Sequence, residues 1–142
     1  MAMSNINIRI LNNEIESINH ENYSFDLIGV NDSKYINIQS MYKKSNNKSI
    51  LLAHQPKSIS LIDTLTNTKI MLCGHTHGGQ ILPFGALMLK NQNQPYLRGL
   101  HKYKNSNIYV NSGAGHTIVP WRFFTKGEIT NLIINNRIKD SS

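Results

Sequence analysis

The sequence predicts an α/β fold containing parallel strands, and three observations carry that prediction. Residues 49–53 and 69–73 are short apolar runs of the kind that form buried strands. Between them Ile59, Leu61, Ile62 and Leu65 recur at a helical spacing, and Pro56 stands where it stops the first strand and can open a helix. Each run also ends on a histidine, His54 after the first and His75, past Gly74, after the second. In a βαβ unit the two strands run parallel, so their carboxyl ends share one sheet edge, where α/β folds hold ligands.

The remaining elements follow from local pattern. Strands are expected at 7–11, 24–30, 49–53, 69–73, 107–111 and 128–134, with helices at 57–65 and 35–44. Ser45, Asn46 and Asn47 break the chain between the 35–44 helix and the strand after it. Residues 78–106 form the longest weakly patterned stretch, read as a loop of the length that often carries function. The domain is expected to occupy 1–134, followed by a polar tail, 135–142.

Composition bounds the function. A chain of 142 residues with 39% apolar content suits one domain with a real core. The net charge of +7 comes from scattered basic residues, so a solvated surface is favoured over a nucleic-acid stripe. Cys73 is the single cysteine, which excludes an intrachain disulfide; a buried thiol is favoured over metal ligation. No stretch reaches the roughly 18–20 apolar residues of a membrane span, and residues 1–7 do not read as a signal peptide. A cytoplasmic location is expected for this chain.

Chemistry is expected at Ile70-Met71-Leu72-Cys73-Gly74-His75-Thr76-His77-Gly78-Gly79-Gln80. In an extended segment residues two apart project to one side, so His75 and His77 would offer two imidazoles to one region, with His54 arriving from the neighbouring strand. Neutral imidazole is the commonest metal ligand and a ready proton carrier. The competing reading is a polar loop with solvated histidines. Gly78 and Gly79 suit either anion binding through their N–H groups or tight turning. His116 reads as a substrate contact or a surface histidine, and Arg122 as a phosphate contact or an ion-pair partner of Glu128. His20 and His101 read as surface residues. Asp32 is the one carboxylate whose position, after the strand ending at Val30, brings it near the site.

The pair Leu-Ala-His54-Gln-Pro and Gly-His75-Thr-His77-Gly-Gly-Gln resembles the fourth and fifth motifs of the calcineurin-like metallophosphoesterases. The Gly-Gly-Gln ending is similar to a branch of membrane-associated bacterial phosphodiesterases. Ile8 to Asn13, Asp26 to Asp32, Tyr96 to Leu100, Ile108 to Gly115 and Pro120 to Phe123, with Glu128 and Ile129, fit the same branch in order. The resemblance implies the C-terminal half of a four-layer α/β/β/α sandwich. It implies metal ligation by His54 and His75 on one ion and by His77 on the other. The family's Asp-x-His, Gly-Asp and Gly-Asn-His motifs do not occur in the sequence. A complete domain would hold two divalent ions, zinc, manganese or iron, whereas this chain alone would hold one or none. Two close dications need carboxylate ligands that three neutral imidazoles do not replace. A single ion held by all three histidines and water has enough ligands but ranks lower.

The expected partners are a phosphate-ester substrate and a complementary N-terminal fragment, or a second copy covering the sheet face that half a sandwich leaves open. Membrane attachment would come only through a preceding segment. Two alternatives remain open: a non-catalytic metal-binding module and a basic nucleic-acid-binding protein.

Overall fold

In the computed structural model the described residues are 8–21, 23–32, 47–65, 67–81, 84–91 and 93–134. Six strands form one mixed sheet: β1 (Glu14–His20), β2 (Tyr23–Val30), β3 (Ser49–Ala53), β4 (Thr68–Cys73), β5 (Gly99–Tyr103) and β6 (Ser106–Val110), in the order β1-β2-β3-β4-β6-β5. Strands β2, β3, β4 and β6 are parallel neighbours, and β1 and β5 close the edges as antiparallel hairpin partners. Four carboxyl ends, at Val30, Ala53, Cys73 and Val110, therefore lie along one edge. The parallel strands β2, β3, β4 and β6 bear out the α/β fold that the sequence predicts, and the antiparallel edges β1 and β5 make the sheet mixed.

Strand alternation divides the central sheet into two unlike faces. Register aligns Ile28, Leu51, Met71 and Ile108 in a row across four strands, each no more than 2% exposed. Val30, Ala53, Cys73 and Val110 form the next row, and Ile59, Ile62 and Leu65 complete the same cluster. The other face carries Leu27, Leu52 and Leu72, each partly exposed, around a cleft of about 640 Å³ that reaches His54. At the opposite end of the core, buried polar groups pair with one another: Ser49 Oγ lies 3.0 Å from Thr68 Oγ1, and Ser106 Oγ donates to the Thr68 carbonyl at 2.6 Å.

Several expectations are corrected. The helix expected at 57–65 is a 3₁₀ helix, Pro56–Asp63. Its buried residues explain the type: Pro56, Ile59 and Ile62 recur every three residues, the period at which 3₁₀ side chains stack on one face. Residues 8–11, placed in a strand by the sequence, pair with no strand among the described residues; Leu11 instead packs against the sheet at Gly29. A Cβ on Gly29 would stand 2.3 Å from Leu11 Cβ and 2.5 Å from its carbonyl oxygen, so only glycine permits that approach. The strand expected at 128–134 does not form, and Ile129 and Ile133 are exposed there. The expected loop 78–106 contains both a helix, α1 (Phe84–Asn91), and β5. The expected helix at 35–44 and the tail at 135–142 lie outside the described residues.

Candidate metal centre

The carboxyl edge gathers four loops, and two of them bring histidines into contact. The His54 carbonyl accepts a hydrogen bond from Gly74 N at 3.0 Å, so the β3 and β4 exits remain tied beyond the last strand residues. His54 Nε2 and His75 Nδ1 then stand 3.2 Å apart, with their rings nearly perpendicular at 79°. Two nitrogens bound to one tetrahedral zinc at 2.0–2.1 Å would be separated by about 3.3 Å, so this spacing fits two ligands of a single ion. Among the described residues no third His, Cys, Asp or Glu completes a metal-holding group around the pair.

His77 is directed elsewhere. Its Nδ1 lies 3.1 Å from Gln80 Oε1, and Thr117 Oγ1 stands 3.2 Å from Nε2 and 3.4 Å from Nδ1. The extended geometry expected for 75–77 is not adopted, which explains the split. His75 and His77 have φ of 70° and 50°, left-handed conformations that cost a non-glycine residue about 1–2 kcal/mol, and alternation does not survive them. Thr76, between them, is buried and donates to the Leu97 carbonyl at 2.6 Å, anchoring the turn.

Asp32 reaches the same edge. Gln55 Nε2 donates to its carboxylate at 2.5 Å, and Gln94 Nε2 donates to Gln55 Oε1 at 3.0 Å, which links the β2 and β3 exits to the segment after α1. Cys73 belongs to the core rather than to the histidine cluster. Burial pushes its thiol up to about 12, so it is not a thiolate at neutral pH.

Arg122 turns inward on the chain. Its guanidinium donates to the carbonyls of His77 at 2.9 Å, Ser112 at 2.7 Å and Gly113 at 3.0 Å, and Nε donates to Gly115 at 3.1 Å. Glu128 is committed to other groups, accepting from the Tyr109 hydroxyl, from Ser112 N at 3.1 Å and from Thr130 Oγ1 at 2.9 Å. His116 is exposed on the loop this clamp shapes, next to Thr117. The N–H groups of Gly78 and Gly79 turn back to Thr76, which leaves tight turning as what the two glycines do in this structure. His20 stacks on Tyr23, and His101 on Tyr96.

The Glu128 contacts carry a pH prediction. The Tyr109 hydroxyl foremost, with Ser112 and Thr130, holds the Glu128 carboxyl below the usual range, and the same contact pushes the Tyr109 phenol up. A carboxyl depressed in the folded state contributes stability above its unfolded pKa, about 4.3 for glutamate, and loses it as pH falls through the folded value. Glu128→Gln is therefore expected to flatten the acid limb of the melting profile below about pH 5. An unchanged limb would show that this carboxylate contributes nothing.

Gln80, Thr117 and Gln55 are site side chains that sequence reasoning does not single out. Gln80 had a signal, since it stands three residues after His77 and closes a single 3₁₀ turn, His77–Gly79. Gln55 stands beside His54 in the Leu-Ala-His54-Gln-Pro motif, and Thr117 had no signal.

Known proteins share this sequence pattern. The chain is 43% identical over 96 residues to an uncharacterised metallophosphoesterase of Helicobacter pylori strain ATCC 700392 / 26695, covering 66% of this chain and 25% of that protein. The chain is a metallophosphoesterase relative. It is 29% identical over 134 residues to the phosphodiesterase YaeI of Escherichia coli K12, covering 92% of this chain and 49% of YaeI. It is 35% identical over 88 residues to a Danio rerio transmembrane protein with a metallophosphoesterase domain, covering 60% of this chain and 20% of that protein. The chain thus spans about a quarter of the length of the H. pylori metallophosphoesterase and about half that of YaeI. No family profile matches, and no solved structure matches. Among the described residues no helix is long and apolar enough to cross a membrane. Metallophosphoesterases are metal-dependent by family, and the paired imidazoles at the sheet edge are a donor set that suits a divalent ion.

Proposed function

We propose that this chain supplies the imidazole portion of a dinuclear centre that hydrolyses phosphodiester or phosphomonoester bonds. The observation that carries this reading is the 3.2 Å approach of His54 Nε2 to His75 Nδ1 on adjacent parallel strands. These two nitrogens would hold one ion, and His77, in its separate cluster, would belong to the second. Zinc, manganese or iron suits such ligands. Divalent ions bound there would supply polarisation of a phosphoryl oxygen and activation of water.

The chain's own residues hold and orient the ligands. The Gly74 to His54 backbone bond fixes the imidazole pair, and the Arg122 clamp on the His77 carbonyl fixes the third ring's backbone. The carboxylates that two close dications require would come from polypeptide beyond this sequence. That same polypeptide would cover the face of Leu27, Leu52 and Leu72, in preference to a second copy of the chain. His116 stands on an exposed loop from which it can meet substrate. The proposed location of this 142-residue segment is cytoplasmic.

The test is hydrolysis of bis-p-nitrophenyl phosphate with added Zn²⁺ or Mn²⁺. Weak or no turnover is expected from the chain alone, with activity rising when a polypeptide carrying the Asp-x-His, Gly-Asp and Gly-Asn-His motifs is supplied. That activity should fall in His54→Ala and His77→Ala. Turnover that is indifferent to both substitutions would contradict the proposal.

A further inference from the structure

We infer that Gln80 is a positioning residue that fixes the tautomer of His77, placing the proton on Nδ1 and leaving Nε2 as the lone-pair nitrogen. The inference rests on the proposed ligand role of His77 for its significance, but its geometry stands independently.

The orientation of the Gln80 amide is settled by its partners at both ends. Its nitrogen lies 2.8 Å from the Thr117 carbonyl oxygen, 3.1 Å from that of Val119 and 3.3 Å from that of Trp121. Carbonyl oxygens only accept, so that end of the amide must be the NH₂. Its oxygen lies 2.9 Å from Thr117 N, and a backbone N–H only donates. Both ends agree, and a flipped amide would set like groups against each other at four contacts.

The same oxygen stands 3.1 Å from His77 Nδ1. An oxygen acceptor facing a ring nitrogen calls for a hydrogen on that nitrogen, and in a neutral imidazole the other nitrogen then carries the lone pair. A fixed acceptor on the far ring nitrogen is also how metal-binding histidines are oriented and made more basic. Thr117 Oγ1 stands 3.2 Å from Nε2 and 3.4 Å from Nδ1, nearly equidistant from the two nitrogens, so the tautomer is set by Gln80 and not by this hydroxyl. Gln80 therefore does two separable things. Its amide hydrogens gather the 117–121 loop, and its carbonyl oxygen orients the ring.

Two substitutions separate these roles in the full 142-residue chain. Gln80→Glu keeps an acceptor toward Nδ1 and removes the donors to the loop, whereas Gln80→Leu removes both. The readout is the pair of His77 ring ¹⁵N shifts in long-range ¹H–¹⁵N correlation spectra, without metal, at a pH where the imidazole is neutral. The parent chain and Gln80→Glu should show the Nδ1–H form. In Gln80→Leu the tautomer ratio should move toward Nε2–H by about fivefold or more, the scale of one lost hydrogen bond. A parent chain in the Nε2–H form, or an unchanged ratio in a folded Gln80→Leu, overturns the inference. If Gln80→Leu does not fold, the parent chain still decides, because an Nε2–H form there overturns the inference and an Nδ1–H form supports it. Since no metal enters the measurement, failure here leaves the phosphoesterase reading intact, and failure of metal binding leaves the tautomer result intact.

Discussion

Arg122→Ala is expected to lower stability by about 2–4 kcal/mol and to release the loop that follows β6. One guanidinium satisfies carbonyls of His77, Ser112, Gly113 and Gly115, which come from two different exits of the sheet edge. A hydrogen bond to a charged group contributes about 1.5–3 kcal/mol, and partial exposure of Arg122 brings the total well below the sum of four. Alanine would leave the carbonyl of buried Ser112 without this donor. Arg122→Lys should not restore the clamp, because an ammonium lacks the planar fork that reaches several carbonyls at once. Urea denaturation gives the energy, and amide exchange should rise at 111–117. A change under about 1 kcal/mol in Arg122→Ala would show that the clamp is incidental.

The core offers the second large effect. Leu51 is fully buried at the middle of the row that joins Ile28, Met71 and Ile108, and Leu51→Ala is expected to cost about 2–5 kcal/mol through lost burial and a residual cavity. Leu52, one residue later, points to the open face and should cost about 1 kcal/mol on the same substitution. The contrast tests the two-faced sheet directly, since only alternation separates two adjacent leucines. Equal losses would mean that both faces are covered to the same degree. Leu51 also bears on function, because β3 ends at Ala53 and carries His54 to the sheet edge.

How much of this was legible in the sequence depended on how local each signal was. The apolar runs of β2, β3, β4 and β6 announced themselves, because strands buried between neighbours need continuous apolar sequence. The edge strands did not: β1 reads Glu-Ile-Glu-Ser-Ile-Asn-His, with isoleucines three apart, and β5 is polar. Ile129 and Ile133 suggested a strand, yet pairing needs a partner, and none is formed by the described residues. The 3₁₀ helix shows in the sequence as a three-residue apolar period, Pro56, Ile59 and Ile62, which lies close to the α-helical one. At the site, the meeting of His54 and His75 followed from parallel strands alone. The departure of His77 did not, because it depends on left-handed backbone at His75 and His77 that alternation cannot anticipate.

The proposed chemistry depends above all on His54 and His75 forming a two-nitrogen seat for one ion, with His77 apart from it. Titration of the chain with Zn²⁺, followed through histidine ring shifts, tests this most directly. His54→Ala and His75→Ala should each weaken binding by about 100-fold or more, beyond the 10–100-fold that loss of a supporting contact produces, while His77→Ala should leave this ion's affinity within a few-fold. Equal losses in all three variants, or none in the first two, would contradict it.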